Sequence, residues 1–428
     1  MNGRLSNDEI SVLKNLAKQV GEIAADPRWK EKKALWAATN SLNSIRPMVL
    51  CPPQGAWNEL VPPQLNIVRD PFFKKYEKTF RQHIFRNQYM RDDRVIDNKV
   101  YIPYSVQITD WVEGRQRPYD DRTDHASGYI PVILETSDLK KMQLPELILD
   151  EKQSAENFAI AQELFGEYLD VIQGEPLYDF SFYDVLGHGT SLIDIWCELR
   201  GLDTVFYDLY DEPEFTKEAM QFLMEGTIKC LKQGEDLGIW TLNNNGFEMD
   251  SVSPCGTCGI AYSNELPAPD YNGKVRLKDL WGYSMAQEFH PVSAEMLEEF
   301  VLPYQAKIAD MFAMNAYGCC ECNDLKWDAI LRHIPRLRSL SVSAASDLKT
   351  AADRLKDQYV ICYKPNPSEM LISFDPDKIK REMSHAMEMA KDTHLVVILR
   401  TIETVMNEPH RLSTWIDTTM ELANQYRK

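Results

Sequence analysis

The 428-residue chain has no apolar run long enough to cross a membrane: no 18-residue stretch is free of charge. The N-terminus lacks the apolar core of a signal peptide, and Met1 to Lys30 reads instead as a charged amphipathic helix, with Ile10, Leu13, Leu16, Ala17, Val20 and Ile23 on one face. Both absences point to a cytoplasmic protein outside the membrane. Basic charge is also short, 47 Lys and Arg against 65 Asp and Glu, for a formal charge of -18. Polyanions are held by basic patches, so a nucleic-acid partner is not expected. No G-x-G-x-x-G follows a strand, which removes the dinucleotide-binding signature. The nine cysteines are too few and too unevenly spread for a secreted disulfide framework. In a reducing compartment they serve packing or metal binding.

What is present is the balance of a soluble globular protein, 44% hydrophobic and 26% charged residues. This length can bury a full barrel core with an appended segment. Residues 1–45 read as an N-terminal helical extension and 46–428 as the main domain, with 112–152 a polar, proline-bearing inserted excursion. Arg46 to Cys51 reads as a short buried strand ended by Pro52-Pro53, and Val100 to Ile108 as an irregular strand interrupted by Pro103. From Tyr178 onward strands and helices alternate. Strands are expected at Phe180–Leu186, Ile239–Leu242, Leu280–Gln287, near Asn315–Glu321, and at Leu337–Val342, Tyr359–Tyr363 and His394–Leu399. Helices opened by Asp211-Glu212-Pro213, Ser293, Asp347 and Asp375-Pro376 lie between them. Short connections and this alternation predict an α/β fold with a parallel sheet, and the strand count suits a (β/α)8 TIM barrel.

A barrel gathers its chemistry at the C-terminal ends of its strands. Those ends supply His188, Asn243, Asn245, Glu288, Tyr317, the run Cys319-Cys320-Glu321-Cys322, Lys364, Arg400 and Glu403. Thiolates beside a carboxylate can hold a soft tetrahedral ion such as zinc. On an extended strand Cys320 and Cys322 would share a face; if the backbone turns, Cys319 and Cys320 would meet. The plainer alternative is that all three are small buried packing residues. Cys255-x-x-Cys258 sits in a Gly-bearing loop and reads as an idle thiol pair unless that loop folds over the strand ends. Glu288 and Glu321 are the carboxylates placed to handle a proton, and Glu288 can equally be a metal ligand or a solvated surface group. His188, Asn243, Asn245, Tyr317, Lys364 and Arg400 are the substrate-binding candidates. Lys364 and Arg400 could bind an anionic oxygen or simply pair with carboxylates at the rim. His290, His333 and His385 read as surface or helix-face residues.

The order of several phrases resembles the uroporphyrinogen decarboxylase superfamily over roughly the last 250 residues. The cues are Asp179 to Val185, Trp281 to Glu288, Val292 to Tyr304, the cysteine run, Ile334 to Ser343, and Lys364-Pro365-Asn366-Pro367. The resemblance implies a TIM barrel and one of two activities. The Arg-Gln-Ala-Gly-Arg phrase of the metal-free decarboxylases is absent, and the first strand carries only Arg46-Pro47. The other branch comprises zinc methyltransferases of corrinoid-dependent systems. Their His-x-Cys motif falls on Gly318 and Cys320, so the histidine is missing, and Arg400 to Glu403 stands where a later cysteine is usual.

The resemblance therefore implies a zinc-dependent transfer of methyl from a small donor, such as a methoxylated aromatic or methylamine, to a corrinoid (cobalamin) carried by a partner protein. Cys320 with Cys319 or Cys322, and Glu288 or Glu403, would have to supply the metal shell. The rivals are a metal-free lyase acting on an anionic substrate, and a tetrapyrrole-binding barrel without turnover. The methyl donor and the oligomeric state, homodimer or otherwise, are not legible.

Overall fold

A computed structural model describes residues 4–115, 130–174, 177, 183–186, 190–245 and 254–427. Ten strands are assigned among them: β1 Met48–Leu50, β2 Lys99–Ile102, β3 Ser105–Ile108, β4 Leu147–Asp150, β5 Asp170–Gln173, β6 Trp281–Ser284, β7 Met314–Tyr317, β8 Leu337–Val342, β9 Val360–Tyr363 and β10 His394–Ile398. Six form the central sheet, in the order β1-β10-β9-β8-β7-β6, and every pairing in it is parallel. Parallel strands need crossovers, and helices supply them. Pro376–Met389 links β9 to β10, Leu348–Leu355 links β8 to β9, and Trp327–His333 links β7 to β8.

Several helices around the sheet start at side-chain caps. Asp347 accepts from the Lys349 and Thr350 amides, Asp375 from Asp377 and Lys378, and Ser293 from Met296. Pro376 occupies the first turn, where no amide hydrogen is required.

Both faces of the sheet are covered, as its largely buried strands demand. The two-residue period of β1, β9 and β10 divides their side chains between two cores. Val49, Ile361, Leu395 and Val397 join the larger cluster with Trp281, Tyr317 and Trp415. Met48, Leu50, Val360, Cys362, Val396 and Ile398 face Leu13, Leu16, Val20 and Trp36 of the N-terminal helices Asn7–Ala24 and Arg28–Asn40. The first of these helices also packs on Pro71–Tyr89 and Glu151–Phe165.

Two further pairs flank the sheet: β2 with β5, parallel, and β3 with β4, antiparallel. The single strand expected over Val100–Ile108 is thus two. Pro103 lacks the amide hydrogen to continue a ladder, so the chain changes partner there. The excursion at 112–152 holds β4 and a Val112–Met142 bridge. Tyr183–Leu186, expected as strand, is a short helix, and Phe180 to Phe182 lie outside the described residues. Over Ile239–Leu242 the described residues show a bridge at Trp240 and no assigned ladder. The Asn243 side chain reaches β6 instead, donating to the Trp281 carbonyl and accepting its amide, each at 2.9 Å. At the opposite edge the Asp93 amide donates to the Val49 carbonyl at 2.8 Å. The described pairings form an open run of six strands, and a closed eight-stranded ring is compatible with these edges. Among the described residues, no helix is long and apolar enough to cross a membrane.

Candidate functional site

The four residues of β7 are all buried, and the strand ends in a turn at Gly318, where φ is +95°. That value lies in the region L side chains avoid. A Cβ there would also sit 3.3 Å from both Asn323 Nδ2 and the Ser341 Cβ. Position 318 is therefore one where a side chain would be both strained and tightly packed.

The turn settles which cysteines meet. Cys319 and Cys320 bring their Sγ atoms to 3.6 Å, while the Cys322 amide donates to Nδ1 of His290 at 2.9 Å. The carbonyls of the turn are pinned from below. Tyr283 donates its hydroxyl to the Gly318 carbonyl at 2.8 Å, and the buried Cys258 thiol donates to the same oxygen at 3.2 Å. Lys364 Nζ and Ser341 Oγ both donate to the Cys319 carbonyl, at 2.5 and 2.6 Å. Cys258 thus reaches the strand end as a buried thiol under the turn, with its proton held on by burial. The side chain of Cys255 is outside the described set.

Within the thiol pair one sulfur is acidic. The hydrogen bond from Cys319 pushes Cys320 down to about 5, with the Lys364 and Arg400 charges adding to it against burial and the nearby Glu321. Cys319 moves the other way, because its proton is shared with Cys320 and its surroundings are dry. Lys364 and Arg400 are both buried. The more exposed partner is Cys320, so the thiolate is the member open to a ligand.

Glu321 is buried and spends both oxygens on backbone: Oε2 accepts the Cys319 amide at 2.8 Å and Oε1 the Ala286 amide at 3.3 Å. It braces the turn against the end of β6. Lys326, buried, donates to the Phe289 and His290 carbonyls at 2.7 and 2.9 Å and ties the Gln287–Phe289 turn, which carries the half-buried Glu288, to the same place. Burial pulls the Lys326 amine below its ordinary value, with Glu321 and Cys322 opposing.

The other candidates divide. Tyr317 is fully buried at the end of β7, its proton held on by burial and by Glu321 and Asp194. Asn243 is occupied by the β6 backbone, and Asn245 donates to the Tyr101 hydroxyl at 2.7 Å. Glu403 is exposed beside Gly55, at the end of β1. His188 lies outside the described residues. Arg46 makes a buried two-point pair with Asp93, at 2.7 and 2.8 Å, and so is committed to structure. Among the described residues, no group of three or more His, Cys, Asp or Glu side chains is assembled as a metal shell.

Two residues at the site escape sequence reasoning. His290, read as surface, is exposed but bonded to the Cys322 amide. Asp194, in the first turn of the helix Leu192–Arg200, is buried beside Glu288 and Glu321. Its signal was available: it is the single charge within Leu192-Ile193-Asp194-Ile195-Trp196-Cys197. A lone carboxylate in an apolar run is either paired or functional.

No family model matches the chain, and no curated protein matches it. Among solved structures, one similar chain is a methyltransferase from Methanosarcina mazei, with 12% identity and a TM-score of 0.44 over 91% of this chain and 98% of that one.

Proposed function

We propose that the protein is a methyltransferase built on a TIM barrel, that the end of β7 is its active site, and that Cys319 and Cys320 hold a zinc ion there. The observation that carries this is the thiol pair itself: two sulfurs 3.6 Å apart, one already acidic, at the C-terminal tip of a central parallel strand. Two zinc–sulfur bonds of ~2.3 Å at a tetrahedral angle span roughly 3.8 Å, so the spacing suits the ion. The described protein donors stop at this pair, and further positions would fall to Glu288 or to substrate. When bound, zinc would supply a Lewis acid that stabilises the oxygen, nitrogen or sulfur left behind as methyl departs. The acceptor in this reading is a corrinoid carried by a partner protein.

The residues around the pair have roles that follow from their contacts. The hydrogen bond from Cys319, with the Lys364 and Arg400 charges adding to it, favours the Cys320 thiolate, which metal binding and nucleophilic chemistry both require. Lys364 and Ser341 hold the Cys319 carbonyl, and Tyr283 and Cys258 the Gly318 carbonyl, so the turn is fixed before any ligand arrives. Glu321, locked by two amides, fixes the distance between β6 and β7 ends. Glu288 would be the carboxylate that exchanges a proton with substrate.

The test is the metal content of anaerobically purified protein. About one zinc per chain, lost in Cys320→Ser with the fold intact, is expected. A metal-free protein that nevertheless turns over a substrate would refute it. Such a result would favour a lyase acting on an anion held by Lys364 and Arg400, a reading supported by the two buried cations flanking the thiolate.

A further inference from the structure

The sulfurs of this chain are unequally placed to meet an oxidant. Cys51, Cys197, Cys230, Cys258 and Cys362 are buried, Cys319 and Cys322 are half-buried, and Cys320 is exposed. A solvent-borne electrophile therefore meets the β7 tip first. There Cys319 and Cys320, neighbours in the chain, hold their Sγ atoms 3.6 Å apart. Cys258 has its thiol spent on the Gly318 carbonyl, and Cys322 is tied through its amide to His290. The two sulfurs that meet are the adjacent ones.

Joining them would shorten that gap to ~2.05 Å, the length of a sulfur–sulfur bond. The backbone around the pair is not free to help. Glu321 holds the Cys319 amide, Lys364 and Ser341 its carbonyl, and Tyr283 and Cys258 the Gly318 carbonyl before it. Adjacent Cα atoms are also only ~3.8 Å apart across a trans peptide, short of the ~4.4–6.8 Å that an unstrained disulfide spans. A bond formed here closes by side-chain rotation, and its strain has no loose turn to relax into. Strained, solvent-reachable disulfides are the easily reduced ones, which form and break with the redox state around them instead of stapling a fold.

We propose that Cys319 and Cys320 are a reversible oxidation site: a low-molecular-weight disulfide of the glutathione class closes them into a vicinal disulfide and so switches the β7 end off. Cys320, the exposed member, attacks one sulfur of the small disulfide as its thiolate. A mixed disulfide forms on Cys320, and the first small thiolate leaves and takes up a proton. Cys319, already at 3.6 Å, gives up its proton and attacks the Cys320 sulfur. The second small thiolate then leaves and is protonated. Two electrons have passed from the cysteine pair to the small disulfide, which ends as two thiols, and an excess of small thiol runs the exchange backwards. The closed pair has no thiolate to offer an ion or a substrate. The proposal rests on the reading of the β7 end as an active site only for what is switched off; the bond itself needs neither zinc nor substrate.

The full-length protein, chelated or loaded with zinc, would be incubated with oxidised glutathione and followed by intact mass and thiol titration. The chelated chain should become two hydrogens lighter, lose two titratable thiols, carry no glutathione, and return to its starting state in excess dithiothreitol. Cys322→Ser should close as the wild type does. Cys319→Ala should instead keep one glutathione on Cys320, because the sulfur that would expel it is gone. Should Cys319→Ala fail to fold, Cys322→Ser decides: loss of closure there would mean that the bond joins Cys320 to Cys322. A wild-type chain that keeps its thiols or stops at the glutathione adduct, or a Cys319→Ala chain that still closes, overturns the proposal. Zinc on the pair should slow closure at least tenfold. A protein that retains no zinc and closes at one rate throughout sinks the zinc reading and keeps the switch. A protein that holds zinc on Cys320, but whose chelated thiols refuse to close, does the reverse.

Discussion

Alkylation of Cys320 is the sharpest probe of the strand-end electrostatics, because it separates thiolate population from intrinsic reactivity. With Cys320 at about 5, ~90% of it is thiolate at pH 6, against ~0.3% of an ordinary cysteine near ~8.5, about a 300-fold excess. Nucleophilicity falls with basicity, and a drop of ~3.5 units at a Brønsted slope of ~0.45 slows each thiolate about 40-fold. Population wins at pH 6, leaving Cys320 about 7-fold faster than a free cysteine. At pH 8 the ordinary thiol is itself ~24% ionised, and Cys320 becomes about tenfold slower. The signature is therefore a rate nearly flat from pH 8 to pH 6 that halves near pH 5. Chelator-treated protein would be pulsed with iodoacetamide across pH 4.5–9 and the Cys320 peptide quantified by mass spectrometry. The buried Cys51, Cys197, Cys230, Cys258 and Cys362 should stay unmodified and serve as internal controls. Cys319→Ala removes the hydrogen bond that lowers Cys320 most and should move the midpoint up, short of the ordinary value because Lys364 and Arg400 remain. A wild-type midpoint near 8.5 would refute the assignment of a preformed thiolate.

Two further perturbations test the scaffold beneath it. Gly318→Ala forces a Cβ onto a residue at φ +95° and into 3.3 Å contacts with Asn323 and Ser341; a loss of about 1–3 kcal/mol is expected in urea unfolding, together with a raised Cys320 midpoint in the same alkylation assay. Asn243→Leu leaves the Trp281 amide and carbonyl without the two bonds they now make; about 1–3 kcal/mol for each orphaned group is expected, and an unchanged urea midpoint would show that β6 needs no partner on that edge.

The later strands were legible because parallel, doubly buried strands read as short apolar runs, and the helices between them begin at capping residues. Leu337–Val342 is found at the bounds its pattern implies, and Asp347 and Asp375 cap the helices they were expected to open. The first half was harder for a physical reason. Apart from β1, its described strands belong to two-stranded pairs, so their composition is mixed, and Pro103 divides one stretch between partners. Ile239–Leu242 has a strand's composition, and among the described residues it carries one bridge, at Trp240, while the Asn243 side chain bonds the β6 backbone. No local pattern encodes that side-chain contact.

At the site, sequence alone located the strand tip but could not choose among its sulfurs, because the choice is made by one dihedral. With Gly318 extended, alternate residues would share a face, and Cys320 would look toward Cys322. At φ +95° the chain turns, adjacent residues converge, and Cys319 becomes the partner. The glycine is thus the cause of the pairing. Any side chain at 318 would meet Asn323 and Ser341 at 3.3 Å on a backbone that L residues rarely adopt, so a substitution there acts on the thiol pair through the turn.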